Sequence, residues 1–194
     1  MRTPEFWIWR ARYVEGYCVV SPPAPVAKSF QLSRGVSRAE GWPAGVACRM
    51  SDDFPKDIEP PDVMFGPGLV VVSPRTHQLL IAQGVTDVEY LPVVVLDHKG
   101  RQVADNFVIV NPPRTVDCID IEASGVVWNS INPQLISTCA QLVVDAGRVP
   151  VATQVFRPKH LPFQVLVRER LASAMRDAEL IGLALSDPRE FNGS

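Results

Sequence analysis

Long apolar runs are missing from this sequence of 194 residues. Nothing approaches the ~18 consecutive apolar residues of a membrane-spanning helix. The longest run, around Val93-Val94-Val95-Leu96, has the length of a strand. The opening residues, Met1 to Arg10, hold too short an apolar run and no small-residue cleavage site for a secretory signal, so a cytoplasmic protein with no membrane partner is expected. Charge of one sign is also scarce: 19 Lys and Arg face 21 Asp and Glu, for a net charge of −2. That balance lacks the basic footprint on which nucleic-acid binding rests, and no nucleic-acid partner is expected.

Cysteines are few. Cys18, Cys48, Cys118 and Cys139 are widely spaced, with no Cys-x-x-Cys, and in a chain without an export signal they read as reduced, buried thiols. His77, His98 and His160 are equally scattered. A zinc site needs paired ligands at short spacing, so neither metal nor cofactor is expected. No Gly-x-Ser-x-Gly elbow, Walker loop, Gly-x-Gly-x-x-Gly or His-Glu-x-x-His occurs, which moves the expectation away from an enzyme and toward a binding role.

Proline, by contrast, is abundant at 18 residues. Pro22, Pro23, Pro25, Pro43, Pro55, Pro60, Pro61 and Pro67 punctuate residues 21–68 and leave little sustained periodicity, so a long irregular region is expected there, with a short strand near 45–48. Loops of this length in a compact domain are usually functional. The expected organisation is one domain over 1–194: a strand region at 1–20, the proline-rich region at 21–68, and a regular core at 69–188.

Within the first region, Trp7, Trp9, Ala11 and Tyr13 alternate with Arg10 and Arg12 at the period of a strand, and the two tryptophans read as core anchors. In the core, 69–72 is a short buried strand. Ser73-Pro74 then opens a helix, with serine as cap and proline at the first helical position, and Gly84 closes it. Strands are expected at 88–96, 106–110, 115–121, 125–128, 141–145 and 151–156, with the turn Asp97-His98-Lys99-Gly100 making a hairpin. A second helix at 167–178 carries Leu171, Ala174, Met175 and Ala178 at helical spacing, and a last strand at 180–185 follows.

Placing Val72 over Val167 sets Arg75 on Arg170, Leu80 on Met175, Val85 on Leu180 and Val88 on Leu183. Two similar strand-helix-strand elements are therefore expected. The fold class they imply is α+β, a mainly antiparallel sheet with two principal helices.

The segment from Asp117 to Glu122 puts a thiol among carboxylates. On a strand, Cys118, Asp120 and Glu122 would share one face. Nearby carboxylates raise a thiol pKa where catalysis needs it lowered, so Cys118 reads as a buried strand residue. Asp117, Asp120 and Glu122 lack the glycine-spaced loop of a calcium motif.

An ordered series of segments resembles a known family. Pro61-Asp62-Val63-Met64 precedes Leu69-Val70-Val71-Val72-Ser73 and the helix ending at Gly84. Val88-Glu89-Tyr90-Leu91-Pro92-Val93, Phe107-Val108-Ile109-Val110-Asn111 and Val116 through Ser124 follow, and Val155-Phe156-Arg157 and Leu180-Ile181-Gly182-Leu183 complete the series. Over residues 60 to 188 the chain is similar to the immunity-protein family numbered eleven among those that accompany polymorphic toxins. The resemblance implies a non-catalytic protein whose partner is a cognate toxin, blocked by stoichiometric binding. Many toxins of such systems attack nucleic acid with basic sites, which makes acidic patches natural counterparts. Two are present: Asp52, Asp53, Asp57 and Glu59, and Asp117, Asp120 and Glu122. Two other readings stand beside this one: an interaction or regulatory module without a toxin, and an enzyme using the carboxylates at 117–122.

Overall fold

The structure is a computed structural model that describes residues 3–66 and 69–191. Met1, Arg2 and Pro67, which entered the readings above, lie outside the described residues. In chain order the strands are β1 (Phe6–Ala11), β2 (Ala47–Arg49), β3 (Val63–Gly66), β4 (Leu69–Val72), β5 (Glu89–Leu96), β6 (Gln102–Asn111), β7 (Thr115–Val116), β8 (Val127–Trp128), β9 (Ile136–Thr138), β10 (Val155–Pro158), β11 (Val165–Arg168) and β12 (Leu183–Ser186). The α-helices are α1 (Pro74–Ala82), the single turn α2 (Ile121–Ser124) and α3 (Glu169–Asp177).

Two five-stranded sheets carry the fold, in the orders β12-β1-β11-β10-β7 and β2-β5-β6-β4-β3, with a separate β8-β9 pair. Only the outlying pairs β10-β7 and β2-β5 are parallel. The α+β class, mainly antiparallel, is what the patterning indicates.

The two expected strand-helix-strand elements are present. Strands β4 and β5 both run antiparallel to β6 and lie on either side of it. Strands β11 and β12 stand in the same relation to β1. Each helix therefore bridges two parallel strands across one antiparallel strand. The helices align over their full lengths when Val72 is placed on Val167, and their ends match bond for bond. The Gln83 amide donates to Leu79 O at 2.9 Å and the Ala178 amide to Ala174 O at 3.1 Å. The Gly84 and Glu179 amides then donate to Ile81 O and Arg176 O, both at 2.9 Å. Gly84 and Glu179 both take the left-handed conformation. At the other end, Ser73 caps α1 by accepting from the Thr76 amide, whereas α3 begins at Arg168 without a side-chain cap.

Alternation along the strands explains why both sheet faces are buried. Trp9, Val70, Val72, Val108, Val110, Val155, Val165 and Val167 point to one side, where they meet Leu80 of α1 and Val85 after it, and Leu171 and Met175 of α3 and Leu180 after it, in one core. The intervening residues point outward and are covered. Leu69, Val71, Leu91, Phe107 and Ile109 lie under Cys18, Val20, Leu32, Val46, Cys48 and Met50 of the N-terminal third. Ile8, Phe6, Phe156 and Leu166 lie under Cys118, Ile119, Ile136, Leu142 and Val149.

The proline-rich stretch is thus a covering. It contains β2, the 3-10 turn Ser29–Arg34 and single bridges such as Ala24↔Ala47. Gly182, with φ 82°, fits where a Cβ would run into the Val63 carbonyl, and the Val63 amide donates to Ile181 O at 3.0 Å. This close approach joins β3 to the turn before β12.

Three strand expectations fail. The strand at 115–121 stops after Val116, because Asp120 accepts from the Ala123 amide at 3.0 Å and starts α2 instead. Residues 141–145 form only the bridge Ile119↔Val144. On β1 the expected face of Trp7, Trp9, Ala11 and Tyr13 breaks up, since Ile8 on the opposite face is fully buried and Tyr13 lies beyond the strand and exposed.

Candidate interaction surface

Residues 51–59 are a chain of tight turns stitched to 13–18. The Phe54 amide donates to Ser51 O at 3.1 Å and the Asp57 amide to Phe54 O at 3.2 Å. The Ile58 and Glu59 amides both donate to Gly16 O, and the Cys18 amide donates to Glu59 O at 2.9 Å. Asp57 is the pin of this junction. It is only 6% exposed, and its carboxylate accepts from the Tyr13 hydroxyl at 2.8 Å and the Gly16 amide at 2.9 Å. Of the four carboxylates singled out here, Asp57 thus turns inward, while Asp52, Asp53 and Glu59 stay exposed. Asp52 lies 3.4 Å from Arg49 Nη2, and His98 Nδ1 stands at 3.4 Å from the same oxygen without hydrogen-bond geometry.

Pinning Tyr13 leaves its ring 57% exposed and 5.5 Å from that of Phe54, itself 37% exposed, with Ile58 55% exposed beside them in the chain. These three residues were not picked out from the sequence. The available signal was a pair of large apolar residues set among carboxylates in a proline-rich loop.

Next to this junction, Asp97 organises the β5–β6 turn. Its carboxylate accepts from the amides of Lys99 at 2.8 Å and Arg101 at 2.9 Å and from Arg101 Nε at 2.7 Å. The bond from the Arg101 amide, assisted by its side chain, holds the Asp97 carboxyl below the usual carboxylate range. A cleft of about 470 Å³ lies between this turn and Ile58, Glu59 and Pro60, and a second of about 190 Å³ opens beside Tyr13, Tyr17 and Pro61.

The second acidic segment is dispersed. Asp117 is exposed and bonds Lys159 Nζ at 3.0 Å, with His160 at 3.8 Å; the Lys159 bond holds its carboxyl below the usual range. Asp120 caps α2 and Glu122 is exposed on its first turn. The common face of Cys118, Asp120 and Glu122 does not form. Cys118 is buried, and burial followed by the nearby Asp117 charge pushes its thiol up to about 12. Among the described residues no group of three or more His, Cys, Asp or Glu side chains is placed to hold a metal ion. The neighbouring β8–β9 arm exposes Val127, Trp128 and, at its tip, Ile131, which is 92% exposed. Asn129 Oδ1 orders that tip by accepting the Ile131 and Asn132 amides, both at 2.9 Å.

The covering loops thus gather polar and aromatic groups over a buried α+β frame. A family model described as "Immunity protein family (Imm11)" matches residues 15–189. The chain belongs to this immunity protein family. The match takes in the N-terminal covering as well as the regular core. No curated protein matches the chain. Among the described residues no helix is long and apolar enough to cross a membrane.

Proposed function

We propose that this protein neutralises a cognate bacterial toxin by direct, stoichiometric binding and without catalysis, in the cytoplasm of the cell that makes it. The observation that carries the reading is the family match along residues 15–189. The surface supports it: Asp52, Asp53 and Glu59 are exposed carboxylates able to contact a basic toxin face, and Asp57 contributes from beneath by fixing their loop. Asp117 and Glu122 are further exposed carboxylates open to a partner, Asp117 being bonded to Lys159, while Asp120 is engaged as a helix cap. Opposite charge across an interface accelerates encounter and excludes wrong partners.

Isolation of the tagged chain from lysate of the cell that produces it tests the reading. A one-to-one complex with a polypeptide that is toxic when expressed alone is the expected result. A chain that purifies alone at both low and high salt would refute it.

A further inference from the structure

Resting on the toxin-binding reading, we propose that Tyr13, Phe54 and Ile58, with the carboxylates around them, are the surface on which the toxin docks, and that the toxin meets them with a cationic face holding an apolar pocket.

The apolar centre comes first. Three large side chains are exposed on one ordered junction rather than scattered singly, and the Tyr13 and Phe54 rings are already neighbours. Interfaces concentrate their energy in such aromatic anchors at the centre, with a charged rim that excludes water. The ordering is in place before any partner arrives, because Asp57 holds the Tyr13 hydroxyl and the Gly16 amide at once. A side chain fixed beforehand loses less entropy on binding, and a tyrosine with two side-chain torsions loses little in any case.

Charge supplies the nature of the partner. Across residues 12–15 and 49–59, four exposed carboxylates (Glu15, Asp52, Asp53 and Glu59) accompany three exposed cations, Arg12, Arg49 and Lys56, and with the buried Asp57 the junction is acidic on balance. A cationic face would be drawn to that rim and an anionic one repelled. Shape agrees: the segment 58–61 forms a ridge that walls a cleft on each side, so side chains of a partner have depressions to enter next to the anchors. The rival surface, the β8–β9 arm with Trp128 and Ile131, has no charged residue of its own across 126–138.

The probe for the test is the toxin polypeptide recovered with the wild-type chain in the isolation above, freed from it in denaturant and refolded. Titration calorimetry and stopped-flow association are measured on the full chain. The double variant Tyr13→Ala/Phe54→Ala is expected to weaken binding by about 30-fold or more, while Trp128→Ala/Ile131→Ser stays within about threefold of wild type. Asp53→Lys/Glu59→Lys is expected to slow association and flatten its salt dependence, with dissociation little changed. Unchanged thermal unfolding of the variants separates lost contact from lost fold, and Tyr13→Phe, which keeps the ring and drops the hydroxyl, is expected to fall between wild type and the double variant.

Full-strength binding by the double alanine variant, or a loss that appears only with Trp128 and Ile131, would overturn the docking surface while leaving the immunity reading intact. So would a wild-type chain that sediments as a dimer dissolved by Phe54→Asp, which would assign the patch to a second copy. An isolation that returns no toxin refutes the functional reading itself, and this surface with it.

Discussion

Arg157 lies fully buried in β10, beneath the 3-10 turn Ser29–Arg34. Its Nη1 donates to Pro162 O at 2.7 Å and to Ser33 O at 3.4 Å, and its Nε and Nη2 have no hydrogen-bond partner among the described residues. Gly35 closes over its stem, where an added Cβ would stand 3.3 Å from Arg157 Cδ. Burial pushes the guanidinium down to about 10. A buried charge faced by carbonyls alone is destabilising relative to an apolar side chain of the same length. Arg157→Met keeps the stem and removes the charge, and is expected to raise the urea midpoint by the equivalent of about 1 kcal/mol or more. Arg157→Ala leaves a cavity and is expected to lower it. A Met variant less stable than wild type would mean that the two carbonyl bonds outweigh the desolvation.

At the scale of elements, the matched helix ends differ in one residue type that matters. Gly84 takes its left-handed conformation freely, whereas Glu179, at φ 48°, carries a Cβ into the same region. Glu179 is exposed, so replacing it removes no packing. Glu179→Gly is expected to stabilise the fold by roughly 0.5–1 kcal/mol, read from thermal unfolding, while Gly84→Ala is expected to destabilise it.

Signals for these helices lay within a few residues of where they act. The Ser73-Pro74 cap, the Gly84 stop and the period of Leu171, Met175 and Ala178 could be read directly, and the strands at 69–72 and 106–110 likewise. The failures have a different source. Asp120 was free to continue a strand or cap a helix, and only contacts distant in sequence decide between them. The 141–145 segment is apolar because it covers Ile8 and Ile119, not because it joins a sheet. The docking surface divides the same way. Its carboxylates could be read from the sequence, but the inward turn of Asp57 depends on Tyr13, 44 residues earlier.

Across the whole molecule, several carboxylates are held by hydrogen bonds, and Glu89 also ties covering to frame. Glu89 on β5 accepts from Ser37 Oγ, from the amides of Arg38 and Ala39, and from Asn111 Nδ2 at 2.7 Å. Burial pushes its carboxyl up, but these bonds together outweigh burial and hold it below its ordinary value. Asp97 is depressed by its bonds from Arg101, and Asp187 by the side-chain bond from Arg189. A carboxyl depressed in the folded state binds fewer protons than the unfolded chain. Its contribution is therefore fully present above the ordinary carboxylate range and lost as pH falls through the folded values, below roughly pH 4. The thermal midpoint is expected to hold from pH 7 to 5 and then drop, with a shallower drop in Glu89→Gln, which starts from a lower midpoint at pH 7.

The inner strand β1, between β12 and β11, bears on the order of events on the ribosome. The strands of the β6 sheet are drawn from residues 47–111, so that sheet can assemble while synthesis continues. Strand β1 is made before the other strands described, yet its two neighbours, β11 and β12, are the last two of those strands to be made. Until they arrive, Phe6, Ile8 and Trp9 have no sheet to enter. The half of the protein that β1 begins is thus the half that only β11 and β12 can close, and the growing chain must keep three large apolar side chains out of other company until then.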